Sequence, residues 1–127
     1  MNTYSSHRLT ISMNDLRDCT IIRIEGAIDS FNNRLVSEFV NKNRFKNNII
    51  VNLEKLEGIN ASGINALYTI ATVLGNESGK KCILVEVPCH IKQVLKIIRL
   101  KSRLFIIEDT EIDALRNIRE NDYCDAR

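Results

Sequence analysis

The chain has no tryptophan, one proline, five glycines and two histidines in 127 residues. Each scarcity removes a class of function. With aromatics at 6%, stacking platforms for sugars or single-stranded nucleic acid are not expected. The glycines form neither a Walker loop nor a Gly-x-Gly-x-x-Gly turn, so no loop is set up to wrap nucleotide phosphates. Cys19, Cys82, Cys89 and Cys124 contain no Cys-x-x-Cys pair, and His7 and His90 lie far apart. That pattern argues against zinc and for reduced thiols in core or surface positions. Neither histidine has a Ser or Cys partner at a telling spacing, so the expectation is a non-enzyme without metal or cofactor.

Long apolar runs are also missing. None approaches the roughly 20 residues of a membrane helix, and Met1 to Met13 lacks the apolar core of a secretion signal. The expected setting is cytoplasmic, without direct membrane insertion. A net charge of +2 is too small to draw nucleic acid or an acidic membrane by bulk field, so no nucleic-acid partner is expected.

What remains is an ordinary globular composition, 44% hydrophobic and 27% charged, long enough to bury one core. Leu9, Ile11 and Met13 alternate with polar residues and Cys19 to Ile24 follows a polar break, which predicts two strands. Phe31, Leu35, Val36, Phe39 and Val40 recur at the spacing of one helix face, with Asp29 or Ser30 as cap. Ile49 to Leu53 is nearly unbroken apolar sequence, as in a central parallel strand covered on both faces.

Ile64, Leu67, Ala71 and Leu74 mark a second helix ending near Gly75-Asn76 and Gly79. Cys82 to Val87 reads as a strand stopped by Pro88. Ile91, Val94, Leu95 and Ile98 give a third helix, Leu104 to Ile107 a short strand, and Ile112, Leu115 and Ile118 a last helix capped by Thr110 with Asp113 three residues on. The predicted order is β-β-α-β-α-β-α-β-α, an α/β fold with a mostly parallel central sheet and helices packed over it. Residues 1–120 form the domain, and 121–127 a polar C-terminal tail. Lys92, Lys96 and Arg99 share a helix side opposite Ile91, Leu95 and Ile98, which reads first as a solvated face and second as a surface for an acidic partner.

The segment Asn60-Ala61-Ser62-Gly63 stands where the Ile49 to Leu53 strand passes through a short loop into a helix. Unpaired N–H groups and the positive end of the helix dipole make such a start able to hold a phosphate. Three readings of Ser62 stay open: a helix cap shared with Asn60, a phosphate acceptor, or a ligand contact. Asp29 is either a cap or a partner contact, and Gly63 either permits close packing or is simply tolerated.

Taken together, Gly26-Ala27-Ile28-Asp29, Ile49 to Leu53, Ile59 to Leu67 and the Val87-Pro88 turn before Val94-Leu95 resemble the STAS domain, in particular bacterial anti-sigma-factor antagonists. The resemblance runs from about Leu9 to about Arg119 and implies a single STAS-like domain. It implies a protein that binds a serine protein kinase doubling as an anti-sigma factor and thereby releases a sigma factor. Phosphorylation of a serine at the start of the second helix blocks that binding, and a serine phosphatase restores it. The family pattern there is Asp-Ser-Ser/Thr-Gly, and this chain has Asn60 and Ala61 in place of the first two. Ala61 lacks the hydroxyl, so the usual phosphorylation cannot occur there, and Ser62 is the remaining hydroxyl. The implied partner surface comprises Asp29, Gly58, Asn60, Ala61, Ser62, Gly63 and Asn65. A non-switching STAS scaffold in a stress-signalling assembly or a transporter is the alternative; the oligomeric state is left open.

Overall fold

The computed structural model describes residues 2–6, 8–43, 48–60, 63–65, 67, 80–98 and 106–125. Strand β2 (Leu9–Asp15) buries Leu9, Ile11 and Met13 and leaves Asn14 exposed, the period-two pattern of a strand covered on one face. Strand β4 (Asn48–Asn52) is buried at every position. It lies between β3 (Cys19–Ile28) and β6 (Cys82–Val85), parallel to both. A central strand covered on both faces is what its apolar run predicts.

Among the described residues seven strands make one sheet. Its order is β1 (Asn2–Ser6), β2, β3, β4, β6 and β7 (Ile106–Glu108), while β5 (Leu56–Ile59) pairs with β3 off that path. The β1–β2 and β2–β3 pairs are antiparallel and the others parallel. Strands β1 and β5 are additions to the order expected from sequence. At the join where β3 passes from β4 to β5 the register shifts between Gly26 and Ala27. Gly26 has φ +100°, and an added Cβ would stand 1.8 Å from the Arg8 carbonyl oxygen. Only glycine fits this bulge.

Three helices are described over more than one turn: α1 (Asn33–Asn43), α2 (Cys89–Ile98) and α3 (Glu111–Asp125). Residues 63–65 and 67 are also helical. Val36 and Phe39 of α1, Leu67, and Ile91 and Leu95 of α2 pack with Leu9, Ile11, Ile22, Val51 and Leu84 on one face of the sheet. Ala114 and Ile118 of α3 pack with Ile21, Ile50 and Ile83 on the other. The connections from β3 to β4, β4 to β6 and β6 to β7 all step the same way, which places their helices on one side. Each fully buried Ile or Leu contributes about 1.5–3 kcal/mol relative to exposure, so the two apolar faces of β4 and β6 hold the layers together.

Four details differ from expectation. Phe31 is not part of the buried helical stripe: it lies in the turn before α1 and is 82% exposed. Ile112 is 68% exposed, and Ala114 takes the buried place beside Ile118. Strand β6 ends at Val85 because Glu86 takes a left-handed φ of +54°. Pro88 instead opens α2, its carbonyl accepting the N–H groups of Ile91 and Lys92 at 3.0 and 2.9 Å. Finally, α3 runs to Asp125, into the segment expected as a tail. The expected end of the second helix and Leu104 lie outside the described residues.

Candidate functional site

Strands β3 and β5 end side by side, Ile28 opposite Ile59, and the Asn60 N–H donates to the Ile28 carbonyl at 3.3 Å. This register brings Asp29 and Asn60, 31 positions apart in the chain, to the same corner of the sheet. Each begins a helix. Asp29 Oδ1 accepts the N–H groups of Phe31 at 2.8 Å and Asn32 at 3.1 Å, and the Asp29 N–H donates to Asn32 Oδ1 at 2.9 Å. The pair forms a reciprocal cap of the capping-box kind, with asparagine where Glu or Gln usually stands. Asn32 is buried, and its Nδ2 also donates to the Ala27 carbonyl at 2.8 Å. The capping reading of Asp29 therefore has direct geometry.

Asn60 acts in the same way for the next helix. Its Oδ1 accepts the Gly63 N–H at 3.0 Å, and its carbonyl accepts the Ile64 N–H at 3.0 Å. One of the otherwise orphaned donors at the helix start is thus satisfied by the Asn60 amide. Ala61 and Ser62 lie outside the described residues.

Gly63 is buried. A Cβ there would stand 2.6 Å from Ile59 Cγ1 and 2.9 Å from both Cβ and the carbonyl oxygen of Ile28. Close packing is therefore its reason, and it draws the helix start onto the ends of β3 and β5. Gly58 is different, since an added Cβ would meet nothing within 4 Å. Asn60 and Asn65 are exposed. Of the residues expected at the surface, Asp29, Gly58, Asn60 and Asn65 thus gather around one corner, whereas Gly63 is buried there. Residues 58–67 contain no Asp, Glu, Lys or Arg; Asp29 supplies a carboxylate, and the exposed Glu57 and Arg34 flank the two segments.

A second polar group sits under α3, on the opposite face of the sheet. Glu111 accepts from Arg23 Nη2 at 2.9 Å and from Asn52 Nδ2 at 2.6 Å. With Glu54, Glu86, Thr110 and Ile112 these residues line an open cleft of about 410 Å³. Sequence reading missed this network because its members are 59 and 88 positions apart. Among the described residues no cluster of His, Cys, Asp or Glu is arranged to hold a metal ion, and no helix is long and apolar enough to cross a membrane.

The model of the STAS domain matches residues 10–114, a span that includes both caps and Gly63. The chain belongs to the STAS domain family. Solved structures carry the same fold. SpoIIAA, an anti-sigma factor antagonist, in its unphosphorylated form, is 20% identical and superposes with a TM-score of 0.70 over 87% of this chain and 96% of that one. An anti-sigma factor antagonist from Mycobacterium paratuberculosis is 19% identical, with a TM-score of 0.70 over 87% and 94%. The murine Solute Carrier 26 family member A9 anion transporter is 12% identical, and this STAS domain matches 18% of its length with a TM-score of 0.63 over 84% of the present chain. No curated protein sequence matches.

Proposed function

We propose that this STAS protein is a cytoplasmic anti-sigma-factor antagonist without enzymatic activity. It binds a serine-kinase anti-sigma factor through the corner formed by Asp29, Gly58, Asn60, Gly63 and Asn65, and so releases an alternative sigma factor. The observation that carries this reading is the Asn60-capped helix start, held against Ile28 by Gly63 and beside the Asp29 turn. Both helix starts carry their own caps, Asn60 on the Gly63 N–H and Asp29 on the Phe31 and Asn32 N–H groups, and groups fixed in this way lower the entropic cost of association. The solved antagonist structures of the same fold support it.

Ala61 sets this chain apart from the phosphoswitch. A phosphate adds about −1.5 to −2 charges, enough to separate a docked pair, but Ala61 has no oxygen to receive it. The protein is therefore held in the binding-competent state, and a serine phosphatase has nothing to restore. Incubation with the kinase and ATP followed by intact-mass measurement tests this point. No shift is expected, whereas a stoichiometric gain of one phosphate, about 80 Da, mapped to Ser62 would contradict the locked state and make Ser62 the acceptor.

A second reading, a non-switching subunit of a transporter or signalling assembly, draws on the likeness to part of the murine anion transporter. Co-purification of a small ATP-binding kinase favours the first reading, and of a transporter or a large homo-assembly the second.

A further inference from the structure

Strand β1 ends the sheet, and among the described residues nothing pairs along its outer side. In an antiparallel ladder every second residue turns its N–H and C=O away from the neighbouring strand, so alternate residues of Asn2–Ser6 present both groups outward. Such a row is a template for another extended strand.

Edge strands are ordinarily blunted by charge, proline, a bulge or short length. The opposite edge shows two of these devices, since β7 has three residues and ends on Glu108. Strand β1 shows none of them. Its five residues, Asn-Thr-Tyr-Ser-Ser, include no Asp, Glu, Lys, Arg or Pro. All of them pair with β2 without a shift of register, from Asn2 opposite Met13 to Ser6 opposite Leu9.

The same five residues also match themselves. An antiparallel second copy that pairs all of them sets Tyr4 opposite Tyr4, Thr3 opposite Ser5 and Asn2 opposite Ser6 of that copy. Aromatic meets aromatic and hydroxyl meets hydroxyl, which are favourable cross-strand classes, and no like charges oppose one another. Thr3 already lies opposite Ser12, and Ser5 opposite Thr10. The row Ser12, Thr3, Ser5, Thr10 therefore runs on from one copy into the next with a hydroxyl at every position.

We propose that β1 is a dimerisation edge, pairing antiparallel with β1 of a second copy of this chain across a two-fold axis at Tyr4 and joining two sheets into one. A self-complementary contact of this kind closes at two copies. No β1 residue belongs to the corner at Asp29 and Asn60, so the pairing stands independently of the antagonist reading.

The test is solution mass by light scattering across a concentration series, for wild type, Thr3→Lys/Ser5→Lys and Thr3→Glu/Ser5→Glu, with circular dichroism as the check of folding. In the proposed register position 3 faces position 5, so each double variant opposes like charges and their mixture opposes unlike ones. Wild type is expected to reach twice the chain mass. Each double variant alone should associate about tenfold more weakly, and the equimolar mixture should recover the dimer. Amide hydrogen exchange of the unmodified protein decides the matter even if a variant fails to fold: alternate β1 amides should gain protection as concentration rises. A wild type that stays monomeric up to about 1 mM, a dimer indifferent to both double variants, or β1 amides whose exchange ignores concentration would overturn the proposal.

Discussion

Asp29 and Asn32 cap each other: the Asn32 N–H donates to Asp29 Oδ1 at 3.1 Å and the Asp29 N–H donates to Asn32 Oδ1 at 2.9 Å. The exchange satisfies donors at the entry to α1 and sets the turn on which Phe31 projects. Asp29→Ala should cost about 0.5–2 kcal/mol, as other cap deletions do. Asn32→Ala should cost about 1–3 kcal/mol, because it also strips the Ala27 carbonyl of its donor. Urea denaturation of the two single variants and the double variant checks this, with a double-variant loss smaller than the sum as the mark of a shared unit.

Gly63 and Gly58 should respond in opposite ways to alanine. At Gly63 the new methyl meets the Ile28 backbone oxygen at 2.9 Å, which cannot turn aside as a side chain would. Overpacking of this kind costs about 1–3 kcal/mol. At Gly58 there is open space, so Gly58→Ala should be neutral or slightly stabilising through the unfolded chain. Paired thermal melts of the two variants distinguish these outcomes.

Asp18 gives the fold a dependence on acid. Arg119 Nε donates to Asp18 Oδ2 at 2.8 Å and holds the Asp18 carboxyl below its ordinary value of 3.8. The unfolded chain therefore takes up this proton first as pH falls. The stabilisation is complete above the unfolded value and is lost as pH drops through the lower folded one. Urea midpoints for wild type should thus fall between neutral pH and the carboxylate range, with a smaller fall for Asp18→Asn, measured across the same pH series. An equal fall in both would remove Asp18 from the acid response.

The thiols should divide by burial. Cys82 is buried among Ile49 and its neighbours, which pushes its thiol up to about 12, and burial pushes Cys19 up to about 11. Both folded values lie above the ordinary 9.0, so the stability they support is present below that value and lost as pH rises through the folded ones. Cys89 is exposed. Alkylation followed by peptide mapping should label Cys89 promptly and reach Cys19 and Cys82 only on unfolding, since the thiolate is the reactive form.

Much of this was readable because the physics was local. The unbroken apolar run at Ile49 foretold a strand covered twice, and Thr110 with Asp113 three residues on foretold the cap now seen at 3.1 Å. Strand β1, Asn-Thr-Tyr-Ser-Ser, has almost no apolar alternation and is held by pairing along β2. Strand β5 is four residues interrupted by Gly58 and exists because β3 outruns β4. Phe31 falls outside the buried stripe because helical periodicity reports a face but not where the helix begins; the regular helix starts at Asn33, after the turn capped by Asp29 and Asn32. At the candidate site, Asn60 and Gly63 could be picked from sequence, but their closeness to Asp29 depends on the Ile28–Ile59 register, which no local pattern encodes.

The most direct measurement is displacement: a labelled sigma factor bound to its purified serine-kinase anti-sigma factor, challenged with this protein in the presence of ATP. Ala61 and the preformed corner at Asp29 and Asn60 predict stoichiometric release of the sigma factor that persists through prolonged incubation with ATP. Failure to release it at any concentration of this protein would contradict the antagonist role, and release that decays as phosphate accumulates on Ser62 would contradict the locked state.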